Sequence, residues 1–60
     1  MTIKEIYLST GAMFAEIKIS GNKAELIENL NKEYFFIAKL PNGQAIVINP
    51  KFIVSLEIDG

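Results

Sequence analysis

Apolar and polar positions alternate through most of this chain, and the places where alternation stops mark its turns. Ile3 to Ser20 reads as two strands joined at Ser9-Thr10-Gly11, with Gly11 supplying a positive φ in a three-residue hairpin loop. With Leu8 opposite Ala12, Tyr7 faces Met13, Ile6 faces Phe14, Lys4 faces Glu16 and Ile3 faces Ile17, a register that sets opposite charges across the ladder. Strict alternation puts Ile3, Tyr7, Met13, Ala15, Ile17 and Ile19 on one face. Ile6, Leu8 and Phe14 fall on the other, among Lys4, Glu16 and Lys18.

Gly21 ends this hairpin, and Asn22 followed three residues later by Glu25 has the pattern of an N-cap and capping box. Ala24, Ile27, Leu30 and Tyr34 recur at helical spacing, which predicts a short helix over residues 23–32 docked by that stripe. Tyr34 to Leu40 and Gln44 to Asn49 form a second hairpin around Pro41-Asn42-Gly43, where Pro presets φ and Gly closes a type I turn with a bulge. Leu40 then aligns with Gln44, Ala38 with Ile46 and Phe36 with Ile48, leaving Phe35, Ile37 and Val47 on the reverse side. Asn49-Pro50-Lys51 is a further turn, after which Phe52, Val54, Leu56 and Ile58 alternate with Ile53, Ser55 and Glu57 in a last strand.

The elements in chain order are β-β-α-β-β-β, which predicts an α+β fold: a small, mainly antiparallel five-stranded sheet with one short helix, in a single domain spanning residues 1–60. An SH3-like small β-barrel with a helical insertion is the alternative. If the helix covers the face bearing Ile17, Phe36, Ile46 and Val54, the reverse face still carries Ile6, Leu8, Phe14, Phe35, Ile37, Val47 and Ile53. A solvated sheet face should read polar, and this one does not. Ile6, Phe14, Phe35, Ile37, Val47 and Ile53 are therefore the candidate interface of a homodimer, with two copies packed through the same patch. Closure into a barrel would turn part of that face into core.

Composition sharpens this expectation. The chain has 60 residues, half of them hydrophobic, and neither Cys nor His. Burial of roughly 3,500 Å² of apolar surface contributes about 90 kcal/mol, close to the roughly 90 kcal/mol cost of ordering a chain of this length. Disulfides and Cys/His zinc sites, which stabilise many small domains, are excluded, so a partner subunit or a very well-packed core must tip the balance. No apolar run is long enough to span a bilayer, and Met1-Thr2-Ile3-Lys4-Glu5 lacks a signal-peptide pattern, so a cytoplasmic protein without membrane partners is expected. All basic residues are Lys, and Ile and Asn are abundant, as AT-rich codons of a bacterium or phage would give.

Catalysis has little to draw on. Without His, Cys or Arg there is no neutral-pH proton shuttle, no thiolate nucleophile and no bidentate anion clamp, and Ser9, Thr10, Ser20 and Ser55 have no His base. The chain reads as a non-enzyme with no catalytic residues, no metal site and no cofactor. Its glycines are spaced as turn residues rather than as a phosphate cradle. The stretch from Asn42-Gly43 through Asn49-Pro50 with Ile53 and Glu57 is similar to the hairpin of short flagellar proteins of the FlbD family, a likeness over about a third of the chain that implies no function here.

A binding module remains. The sequence points to a small protein that homodimerises and docks on a protein partner, as a phage or bacterial regulator or inhibitor would, with Glu25, Glu28 and Glu33 as candidate partner-binding residues. A nucleic-acid-binding barrel is the less favoured alternative. Phe14, Tyr34 and Phe35 offer stacking faces, and Lys18 and Lys39 would meet if their strands are adjacent, but the net charge is −1 where a phosphate-tracking groove should be basic.

Overall fold

The computed structural model describes residues 1–59 and lays out β1 (Thr2–Leu8), β2 (Met13–Ile19), α1 (Lys23–Lys32), β3 (Phe36–Lys39), β4 (Ala45–Ile48), a 3-10 turn over Pro50–Phe52, and β5 (Ile53–Ile58). The element order is the one that the hydrophobic pattern predicts. All five strands join one antiparallel sheet in the order β4-β3-β2-β1-β5. β4 and β5 lie at opposite edges, so the sheet stays open and the barrel is not closed.

Turn chemistry sets both hairpins. At the first, Gly11 has φ +93° and the Leu8 N–H donates to the Ala12 carbonyl at 2.9 Å; Tyr7 faces Met13, Ile6 faces Phe14 and Ile3 faces Ile17 as expected. At the second, Gly43 has φ +91°, its N–H donates to the Leu40 carbonyl at 2.9 Å, and the Leu40 N–H donates to the Gln44 carbonyl at 2.7 Å. Neither positive φ suits a residue with a Cβ. Phe36 faces Ile48 and Ala38 faces Ile46, again in the expected register.

The faces of three strands differ from strict alternation, and each departs in the same way. In β1 the residues turned into the core are Ile3, Ile6 and Leu8; in β2, Phe14, Ile17 and Ile19; in β5, Ile53, Leu56 and Ile58. Each set has a step of three followed by a step of two. An irregularity sits inside each step of three. The β1–β2 ladder passes from Ile3–Ile17 to Glu5–Ala15 without a Lys4–Glu16 pair, and Glu16 has φ +54°. The β1–β5 ladder shifts register between Ile3 and Glu5 and again between Tyr7 and Leu8, where Val54 is the extra residue. An extra residue bends its strand and reverses which side chains face inward beyond it. The sheet therefore folds over its own inner face.

This corrects the expected faces. Ile6 is fully buried in the core instead of lying on the reverse side, and Leu8, Phe14 and Ile53 are half-buried against the same core. Val54, expected beneath the helix, is exposed, and so is Phe52. The anticipated Lys4–Glu16 pair is replaced by Lys4 Nζ at 3.8 Å from Glu57 on β5.

The helix has the predicted bounds and a different apolar stripe. Asn22 Oδ1 accepts from the Glu25 N–H at 2.9 Å, an N-cap bond. At the other end Glu33 takes the left-handed conformation, φ +57°, and the Tyr34 N–H donates to the Asn29 carbonyl at 2.9 Å. Leu26 is buried and Leu30 packs against the core one turn later, while Ile27 and Tyr34 are exposed. The expected Ala24–Ile27–Leu30–Tyr34 stripe shares Leu30 with the observed one and is otherwise rotated away from the sheet.

Candidate interaction surface

β3 and β4 keep regular alternation, with four consecutive pairs and no shift. Phe36, Ala38 and Ile48 accordingly enter the core, while Phe35, Ile37 and Val47 stand on the outer face, 64%, 65% and 65% exposed. Ile37 and Val47 are direct cross-strand neighbours. Together with Ser20 and Phe36, these three residues line a shallow depression at the end of the sheet. Of the six residues expected on one outer patch, the structure brings Phe35, Ile37 and Val47 together there and assigns Ile6, Phe14 and Ile53 to the other side of the sheet.

The strip runs out to an open edge. The Leu40–Gln44 bond fixes which pairs of this ladder are hydrogen-bonded, and alternation makes them Leu40–Gln44, Ala38–Ile46 and Phe36–Ile48. The N–H and C=O of Ala45 and Val47 therefore point away from β3, along the free side of β4. No charged residue and no proline lies between Gln44 and Asn49.

Beside the strip, Lys18 and Lys39 face each other directly across β2 and β3 and line a second depression with Glu16, Leu40, Pro41 and Gly43. Among the described residues neither lysine makes an ion pair. Like charges placed opposite each other destabilise a ladder, so the fold gains nothing from this pairing. The far edge shows the reverse sign, because Glu5 and Glu57 face each other across β1 and β5.

Glu5 also perturbs its neighbour. The Tyr7 hydroxyl donates to Glu5 Oε2 at 3.2 Å, and the Glu5 carboxylate charge, that hydrogen bond, some desolvation and the more distant Glu57 raise the Tyr7 pKa above the ordinary value of 10.0. The neutral phenol is thus favoured in the folded state. Its stabilising contribution is complete below about pH 10 and is lost as pH rises through the elevated folded value. In Glu5→Gln, absorbance titration at 295 nm should return Tyr7 toward the ordinary value; an unchanged midpoint would reject Glu5 as the cause.

The three helix carboxylates each have a local role. The Glu25 side chain folds back over Gly21, coming within 3.0 Å of where a Cβ there would sit. Glu28 Oε1 pairs with Lys32 Nζ at 2.8 Å, one turn away on the helix. Glu33 ends the helix and lies 3.9 Å from Lys51 Nζ. None of the three lines the depression formed with Phe35, Ile37 and Val47. Val54 and Ser20 contribute exposed surface that the alternation rule does not reveal; the step-of-three spacing in β5 is the signal for Val54.

Among the described residues no polar or charged side chain is buried, and no three His, Cys, Asp or Glu side chains gather in an arrangement that would hold a metal ion. No helix among them is long and apolar enough to cross a membrane. Neither a protein-family model, nor a curated protein, nor a solved structure matches the chain.

Proposed function

We propose that this protein is a non-enzymatic binding module that homodimerises and docks on a protein partner through the outer face of β3 and β4. The observation that carries the reading is the contiguous strip of Phe35, Ile37 and Val47, each about two-thirds exposed in a chain whose core is already filled by other residues. Isolated exposed apolar residues are ordinary on protein surfaces, but a rimmed apolar strip marks an interface. A chain this short also gains most from a partner. The residue usage of AT-rich genes favours a bacterial or phage setting, and the reading fits a cytoplasmic regulator or inhibitor.

Light scattering on a sizing column at micromolar concentration tests it. The expected mass rises toward twice that of the chain as concentration is raised through the micromolar range. Val47→Glu, which puts a carboxylate at the middle of the strip without touching the core, should give a folded monomer, whereas Glu25→Lys on the helix should leave assembly unchanged. A stable monomer of the unsubstituted chain overturns self-association.

The Lys18–Lys39 pair, set across β2 and β3 with no carboxylate partner among the described residues, favours a second reading, nucleic-acid binding. It requires a salt-dependent mobility shift of labelled DNA or RNA that Lys18→Glu and Lys39→Glu remove, and absence of binding at low salt rejects it.

A further inference from the structure

The two edges of the sheet are not equivalent. β5 is interrupted by the bulge at Val54 and carries Glu57, which is paired with Lys4. Bulges and charges are the devices by which edge strands avoid pairing with other chains. β4 has neither: its four residues are Ala45, Ile46, Val47 and Ile48, in unbroken register with β3. Its outward N–H and C=O groups, at Ala45 and Val47, form a template with no partner within the sheet.

We infer that β4 pairs antiparallel with the β4 of a second copy about Val47, joining two sheets into one of ten strands. This rests on the homodimer reading but moves the contact between copies from the outer face to the β4 edge, leaving Phe35 and Ile37 to the partner protein. A strand that pairs with itself about a two-fold axis sets the residues at the axis opposite their own copies, so a charge there would meet a like charge. From Gln44 to Asn49 there is none. With Val47 on the axis, Val47 exchanges both backbone hydrogen bonds with its counterpart, and Ala45 does so with Asn49 of the other copy. β5 is less suited to the same operation, because it carries Glu57 and its ladder is shifted at Val54.

The pairing also orders the outer face. Ile37 and Val47 of one copy continue into Val47 and Ile37 of the other, with a Phe35 flanking each end, so two short strips become one apolar floor. The partner protein then docks on that floor, and the dimer contact itself is mainly backbone. Pairing of two four-residue strands falls at the small end of specific interfaces, below about 1,200 Å², so dissociation in the micromolar range is expected.

The experiment uses the full 60-residue chain, made by total synthesis with the Val47 nitrogen methylated. This removes the outward donor and leaves the side chain and the bonds to β3 in place. The expected result is a folded monomer, while Phe35→Ser, which alters the floor and not the edge, remains a dimer. Amide exchange on the unmodified chain gives a second readout that needs no variant: Val47 N–H exchange should slow at least about tenfold as concentration rises through the dimer midpoint. A methylated chain that still dimerises, or a Val47 amide whose exchange ignores concentration, overturns the edge pairing while leaving self-association intact. An unmodified chain that is monomeric throughout overturns both.

Discussion

Ile6→Ala is expected to destabilise the protein by about 2–5 kcal/mol, the range for deleting most of a buried isoleucine side chain. For a chain of this length total stability is about 3–9 kcal/mol, so the variant should be largely unfolded near room temperature if the parent lies at the low end. Ile37→Ala, on the neighbouring hairpin, should change stability by no more than about 0.5 kcal/mol, as is usual for exposed positions. Ile6 is 0% exposed and Ile37 is 65% exposed, although strict alternation groups them on one face. Urea midpoints at one fixed protein concentration, low enough to keep the chain monomeric, are the measurement. Similar costs at the two positions would mean that Ile6 is not in the core and that β1 does not change phase at Lys4.

The contrast between these two isoleucines shows what the sequence encodes openly. Turn residues are local, so Gly11, Gly43 and the Asn22 cap specify their hairpins and helix start without reference to the rest of the chain, and the registers next to them were legible. The hairpin of β3 and β4 has no bulge, so its faces were legible as well, and with them Phe35, Ile37 and Val47. In β1, β2 and β5 the assumption of a constant period of two fails at one residue and inverts everything beyond it. The signal was nonetheless present, because Ile3-Ile6-Leu8, Phe14-Ile17-Ile19 and Ile53-Leu56-Ile58 repeat a single three-then-two spacing. A repeated irregular spacing in three strands that share a sheet is what coordinated bending leaves in a sequence. The helix stripe was harder, since Ile27 and Leu26 are adjacent and only the direction of the sheet decides between them.

The bend makes a second prediction of opposite sense to strand propensity. Glu16 lies inside β2 with φ +54°, a conformation that costs an L-residue roughly 1–2 kcal/mol and is least tolerant of a branched Cβ. In a regular strand, replacing an exposed Glu by Val would be neutral or stabilising. At this position Glu16→Val should destabilise by about 1–2 kcal/mol, because the branched side chain must either accept the left-handed conformation or pull the backbone toward extended geometry. The second route would remove the phase change between Phe14 and Ile17 and turn Phe14 away from the core. Glu16→Gly separates the two contributions. Glycine relieves the left-handed strain but gains freedom in the unfolded chain worth about 0.5–1 kcal/mol, so its stability should stay within about 0.5 kcal/mol of the parent or exceed it. Thermal or urea unfolding of the three proteins orders them Gly at or above Glu, and Glu above Val. A Val variant more stable than the parent would show that β2 runs straight through residue 16, and the inward placement of both Phe14 and Ile17 would then lose its structural cause.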